Sequence, residues 1–107
     1  MISVIMPVYN TENYIWEAIE SILSQSFFDF EFIIIDDCST DNSYEICEQY
    51  SKKDSRIKLY RNQENRWISY TRNKLISLTS TNYIVNQDSD DISLKNRLEL
   101  SFNFLEN

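Results

Sequence analysis

Four short apolar runs, each followed by a stretch of helical spacing, divide the chain into four β-α units with short connections. Ile2 to Met6 reads as a buried strand closed by Pro7, which has no N–H to give a central ladder. Thr11 stands as an N-cap candidate, and Ile15, Ala18, Ile19, Ile22 and Leu23 follow at the spacing of a helix face. A turn over Ser26 to Asp29 leads to a second strand from Glu31 to Ile35. Ser39, Thr40 and Asp41 offer caps for a helix through about Tyr50, with Ile46 and Cys47 facing inward. Ile57 to Tyr60 is a third strand, Ile68 to Leu78 a third helix and Tyr83 to Val85 a fourth strand. Ser93 opens a last amphipathic helix with Leu94, Leu98, Phe102 and Leu105 on one flank. Such alternation predicts an α/β fold, a mostly parallel sheet with helices on both faces.

The 107 residues suffice for one domain with one modest core, so 1–107 is read as a single unit. The chain stops within or just after an amphipathic helix, which reads as a truncated domain as much as a finished protein. Glycine is absent and there is one proline, whereas Asn is plentiful. Asn is the next-best residue for left-handed backbone, so Asn10, Asn42, Asn65 and Asn82 are the expected carriers of that conformation. The formal charge of −7 leaves no basic stripe for a nucleic-acid backbone, and nucleic acid is excluded as a partner. A single cation-bridged diphosphate remains compatible with that charge. With no His in the chain, Ser-His and Cys-His catalysis are excluded, and Cys38 and Cys47 are too few for a structural zinc site. The two cysteines read as free thiols of a reducing compartment. The start lacks the basic region of a signal peptide, and no run approaches the roughly 18 apolar residues of a membrane span.

Chemistry concentrates at two strand ends. Asp36-Asp37 follows the second apolar run, and Asp88-Ser89-Asp90-Asp91 follows the fourth through Asn86-Gln87. In a parallel sheet both ends lie on the edge where open α/β sheets bind ligands. A divalent cation carrying a phosphate is the natural occupant of a site with carboxylates on both sides. Each cluster also has a plainer reading as a helix-capping turn, with Asp37 or Ser39 heading the second helix and Asp91 or Ser93 the last. Asp37 can alternatively accept the imide N–H of a pyrimidine ring. Arg72 can reach a phosphate or pair with one of these aspartates, and Asn65 can make a turn or touch ligand. Tyr9 can lie against a nucleobase; Trp67 either stacks on a base or, the better fit, packs beneath the sheet edge. Without glycine neither a dinucleotide fingerprint nor a P-loop can be written. A phosphoaccepting receiver domain lacks its lysine at a late strand end.

Five segments carry a more specific resemblance: Ser3 to Asn10, Ile22 to Phe27, Ile35 to Asp41, Asn65 to Asn73, and Tyr83 to Asp91. In that order and spacing they cover essentially the whole chain. The chain resembles the N-terminal, nucleotide-sugar-binding part of a family 2 inverting glycosyltransferase of the GT-A fold. The resemblance implies a three-layer, Rossmann-like donor subdomain from which the C-terminal acceptor half is absent. It implies transfer of a sugar from a nucleoside diphosphate, a UDP-sugar foremost, to a saccharide or lipid-linked acceptor. By the same resemblance Pro7, Val8 and Tyr9 line the nucleotide pocket, Glu12 borders the base and Asp37 contacts it. Arg72 lies toward the diphosphate. Asp88 and Asp90 form the DxD element, with Asp90 the direct ligand of Mn²⁺ or Mg²⁺ and Asp88 nearer the ribose or a metal-bound water. The general base lies downstream of this chain. Polysaccharide or lipid-linked saccharide synthesis, cytoplasmic or peripheral at the inner membrane face, is the expected setting. A non-catalytic nucleotide-binding or structural remnant that self-associates as a homo-oligomer is the alternative. The chain departs from the family where glycines are replaced by Cys38, Trp67, Leu75 and Thr81, and where Gln87 stands in an apolar position.

Overall fold

In the computed structural model, residues 1–106 are described, with side chains through Asn103. The elements run β1 (Ile2–Val8), α1 (Ile15–Leu23), β2 (Phe30–Asp36), α2 (Ser43–Lys53), β3 (Ile57–Arg61), α3 (Trp67–Ser77), β4 (Ile84–Asn86) and α4 (Arg97–Glu106). The strands form one sheet in the order β3-β2-β1-β4, and every pairing is parallel. The α/β expectation and the element order hold.

Side-chain alternation along the strands builds two cores of unequal size. Val4, Met6 and Val8 of β1 with Phe32 and Ile34 of β2 pack against Ile15, Ala18, Ile19 and Ile22 of α1, Cys47 of α2 and Leu98 of α4. The intervening residues Ile5, Ile33 and Ile35 face the other way, onto Leu75 and Leu78 at the end of α3. The sheet is therefore covered on both faces, by three helices on one and by α3 on the other. At the far end of the sheet from the strand termini that carry the aspartates, Glu31 is buried among Ser3, Ser80 and Lys58. Burial alone pushes its carboxyl up. Hydrogen bonds from the Ser3 hydroxyl, the Ser80 amide and Lys58 Nζ outweigh this and bring it down to about 2.

Pro7 does not close β1 but lies inside it, and its position decides where the sheet opens. Ser3 N–H bonds to Tyr83 C=O, and Ile5 C=O accepts from Gln87 N–H, so Ser3, Ile5 and by alternation Pro7 turn their main-chain groups toward β4. Pro7 has no N–H with which to make the next rung. Toward β2 the ladder continues past it, through Pro7 opposite Ile35 and Val8 opposite Asp36, to the bond from Asp37 N–H to Val8 C=O. β1 and β4 therefore part at their carboxyl ends, while β1 and β2 stay joined.

Several local expectations are corrected. The carbonyl of Thr11, and not its hydroxyl, receives the Tyr14 and Ile15 N–H groups, so a turn precedes α1. α2 begins at Ser43 and runs to Lys53; Asp41 Oδ1 accepts the Ser43 N–H at 2.9 Å. Leu94 lies before α4 and is 78% exposed, because the helix starts only at Arg97; Leu98 and Phe102 do join the core. The side chain of Leu105 lies outside the described residues. Among the described residues, positive φ occurs at Asn10, Cys38 and Trp67. Asn10 meets the expectation; Asn42, Asn65 and Asn82 do not, and residues standing in place of family glycines carry the other two positions.

Candidate functional site

The parting of β1 and β4 leaves a cleft of about 340 Å³ at the carboxyl edge of the sheet. Four segments line it. The end of β1 contributes Pro7, Val8, Tyr9 and Thr11; the end of β2 contributes Asp37; the head of α3 contributes Asn65, Trp67, Ile68 and Thr71; the turn after β4 contributes Asp88, Ser89 and Asp90. The two acidic turns thus meet at one cavity.

Consecutive residues at the end of β2 point opposite ways and do different work. Asp36 is fully buried away from the cleft, accepting the Ser39 N–H at 2.9 Å and hydroxyl at 2.6 Å, with Arg61 Nε 3.5 Å away. Burial raises its carboxyl above the usual value, and the Ser39 bonds and Arg61 oppose this. Asp37, 5% exposed, reaches across to the loop before α3. Its Oδ1 accepts from Arg66 N–H at 2.7 Å and Asn62 Nδ2 at 2.9 Å, and its Oδ2 from Trp67 N–H at 2.9 Å. It therefore satisfies free donors at a helix head, but at α3 and not at the adjacent α2. A carboxylate has about four acceptor positions, so with three filled one remains on the cleft-lining side chain.

Of the left-handed residues Trp67 lines this cavity, while Asn10 and Cys38 adjoin in sequence residues that do. Asn10 (φ 50°) accepts the Thr40 N–H at 2.8 Å, and its own N–H goes to Ser39 Oγ. Cys38 (φ 60°) follows Asp37 directly, and Trp67 (φ 69°) opens α3. The loop after β1 is fastened to the head of α2 by Thr11 N–H to Ser43 Oγ, Glu12 N–H to Asp41 Oδ2 and Asn42 N–H to Glu12 Oε2, at 2.9 to 3.1 Å. Glu12 is thus engaged at α2 and does not line the cleft. Trp67 does not pack beneath the sheet edge. It is 71% exposed and lines the cavity.

Gln87 orders the acidic turn. Only 1% exposed, it donates from Nε2 to the carbonyls of Asp88 (3.1 Å) and Asp91 (2.8 Å). Its Oε1 accepts from Ser93 Oγ and from Arg97 at 2.7 Å, and Arg97 also bonds the Asn86 carbonyl at 2.6 Å. An amide in a position usually apolar is therefore fully satisfied, and it ties the turn to the first residue of α4. Ser89 is buried beneath the turn and receives the Thr11 hydroxyl at 3.0 Å, while Asp88 and Asp90 stay exposed. Arg72 lies outside the cleft lining, with a buried Nε that has no hydrogen-bond partner among the described residues.

Of the residues singled out from sequence, Pro7, Val8, Tyr9, Asp37, Asp88 and Asp90 converge on the cavity; Glu12 and Arg72 are not among the residues that line it. Sequence reasoning missed Asn62 and Thr71, which are buried together and bonded at 3.0 Å behind Asp37. Asn62 directly follows a strand at the same edge, which was the available signal. Among the described residues no group of three or more His, Cys, Asp or Glu side chains could enclose a metal. Two exposed carboxylates on a cleft instead suit a hard cation that shares its coordination with phosphate oxygens and water.

The same fold and segments recur in known proteins. A glycosyltransferase of Streptococcus pneumoniae, GlyA, is 46% identical over 90 residues, which is 84% of this chain and 13% of that protein. The crystal structure of S. aureus TarS 1-349 in complex with UDP-GlcNAc is 33% identical, with a TM-score of 0.90 over 98% of this chain and 31% of its own. The mannosyltransferase PcManGT from Pyrobaculum calidifontis, in complex with GDP-Man and Mn²⁺, shares the fold at 22% identity and a TM-score of 0.82, over 94% of this chain and 30% of its own. The chain spans less than half the length of the first curated relatives it matches, at 38%, 33% and 42% of theirs. Residues 3–107 match the description "Glycosyl transferase family 2", and the chain belongs to that family.

Proposed function

We propose that this chain is the donor-binding part of a metal-dependent sugar transferase, holding a nucleoside-diphosphate sugar in the cleft between β1 and β4. The observation that carries this reading is the meeting of Asp37, Asp88 and Asp90 on one cavity together with the rings of Tyr9 and Trp67. Aromatic side chains and carboxylates on one cleft match a ligand with a flat base and an anionic diphosphate. The remaining acceptor position of Asp37 suits the single imide donor of uracil, and the UDP-GlcNAc complex of TarS supports a uridine donor. Asp90 and Asp88 are the residues to hold Mn²⁺ or Mg²⁺; the Mn²⁺ in the PcManGT complex supports such an ion. When bound, the cation neutralises charge on the departing diphosphate. The chain's own part is to fix the base through Asp37, seat the nucleoside on Pro7, Val8 and Tyr9, and aim Asp88 and Asp90 from a turn held by Gln87. The acceptor, a saccharide or lipid-linked saccharide, and the general base belong to sequence beyond this chain.

Calorimetric titration of UDP with and without Mn²⁺ tests the reading, with binding expected only when metal is present. In Asp90→Asn the metal dependence is expected to vanish while unfolding stays cooperative. Absence of heat with the parent chain under both conditions refutes the donor site, and parent-like Mn²⁺-dependent binding by Asp90→Asn refutes the ligand assignment.

A further inference from the structure

Trp67 occupies the one cleft position where the fold favours glycine and the chain supplies its largest side chain. Its φ of 69° is a left-handed conformation that is unfavourable for any residue with a Cβ. Burial does not compensate, because the ring is 71% exposed. The backbone beneath it is nevertheless held twice: its N–H lies 2.9 Å from Asp37 Oδ2 and 3.0 Å from Asn65 Oδ1. A largely unburied indole, carried on a strained and doubly held main-chain position at the lining of a cavity, is arranged for something that enters the cavity. Its flat face has no partner ring among the described aromatic pairs.

We infer that Trp67 is a base-binding residue of the donor site, a platform on which the base of the nucleotide stacks while Asp37, fixed to the same backbone N–H, reads its edge. The inference rests on the donor-site reading. It assigns the two kinds of recognition to neighbouring groups: the indole accepts any base through its π-face, and the carboxylate selects a base with a free N–H.

Because Trp16 on α1 is also half exposed, the test uses a Trp16→Phe background in which emission comes from Trp67 alone. Mg²⁺ replaces Mn²⁺, which quenches fluorescence by itself. Titration with UDP is expected to change Trp67 emission saturably, at the Kd that calorimetry gives. Trp67→Gly relieves the backbone and should fold at least as well by thermal unfolding, yet bind UDP roughly tenfold more weakly, the scale of one base-aromatic stack. Trp67→Phe should recover most of that loss. Parent-like affinity in Trp67→Gly, or calorimetric binding with silent Trp67 emission, overturns the stacking platform and leaves the donor site standing. Failure of the Trp16→Phe protein and the parent chain alike to bind UDP with Mg²⁺ or Mn²⁺ overturns both.

Discussion

Replacing Asp37 by Asn is the sharpest test of how the cleft is built, because the exchange keeps shape and removes only charge and acceptor capacity. Asp37 is 5% exposed and receives three N–H donors, at 2.7, 2.9 and 2.9 Å. The asparagine oxygen can face Arg66 N–H and Asn62 Nδ2, keeping those two bonds as neutral ones, each weaker by about 1 kcal/mol. Its NH₂ then points at the Trp67 N–H, where two buried donors confront each other. Asn65 Oδ1, 3.0 Å from that N–H, takes up part of the loss, leaving about 0.5 kcal/mol. Removal of a negative charge from the head of α3 adds about 0.5 kcal/mol. The total is about 3 kcal/mol. Urea unfolding followed by circular dichroism should show it as a midpoint about 2 M lower at unchanged slope, taking roughly 1.5 kcal/mol/M for a domain of this size. The amides of Arg66 and Trp67 should also exchange faster. A loss below about 0.5 kcal/mol, the range of an inert surface substitution, with unchanged exchange at those amides, would falsify the assigned role.

Glu31 makes a pH prediction. Its carboxyl falls from the ordinary 4.5 to about 2 in the folded protein, so its stabilisation is full above pH 4.5 and is lost as pH falls toward 2. The difference in unfolding free energy between the parent and Glu31→Gln should therefore shrink by about 3 kcal/mol between pH 6 and pH 2. A difference that stays constant over this range contradicts the assignment. Gln87→Leu leaves the Asp91 carbonyl, the Ser93 hydroxyl and Arg97 short of a partner, and should cost about 3 kcal/mol in urea unfolding while speeding exchange of the Asp91 amide. Stability within about 0.5 kcal/mol of the parent rules out the positioning role given to it.

Periodicity carried the fold because both cores are assembled from residues whose spacing is visible: Val4, Met6 and Val8 on one face of β1, Ile15, Ala18, Ile19 and Ile22 on one face of α1. The boundaries were less legible. Whether α4 starts at Ser93 or Arg97 depends on Gln25, whose Nε2 holds the Leu94 carbonyl and whose Oε1 takes the Leu98 N–H from across the molecule. No local pattern encodes a partner so distant in sequence. The same limit applies at the site. That Asp37 and Asp90 share an edge follows from strand order, but that Asp37 caps α3 and not α2 depends on a loop meeting it across the sheet. The resemblance places Glu12 at the border of the base, and no local pattern shows that its Oε2 also takes the Asn42 N–H at the head of α2. Propensity assigns left-handed backbone to Asn, and Asn10 carries it, whereas the chain path imposes it on Cys38 just after β2 and on Trp67 at the head of α3, whichever side chain is present.

The opening between β1 and β4 originates in the main chain, in the hydrogen that Pro7 lacks, and not in the bulk or polarity of what lines it. A wall residue can then be exchanged, as an indole stands at Trp67 on left-handed backbone that favours glycine, without healing the gap. Such a division between a fixed aperture and replaceable furnishings lets a lineage retune what enters while keeping the doorway.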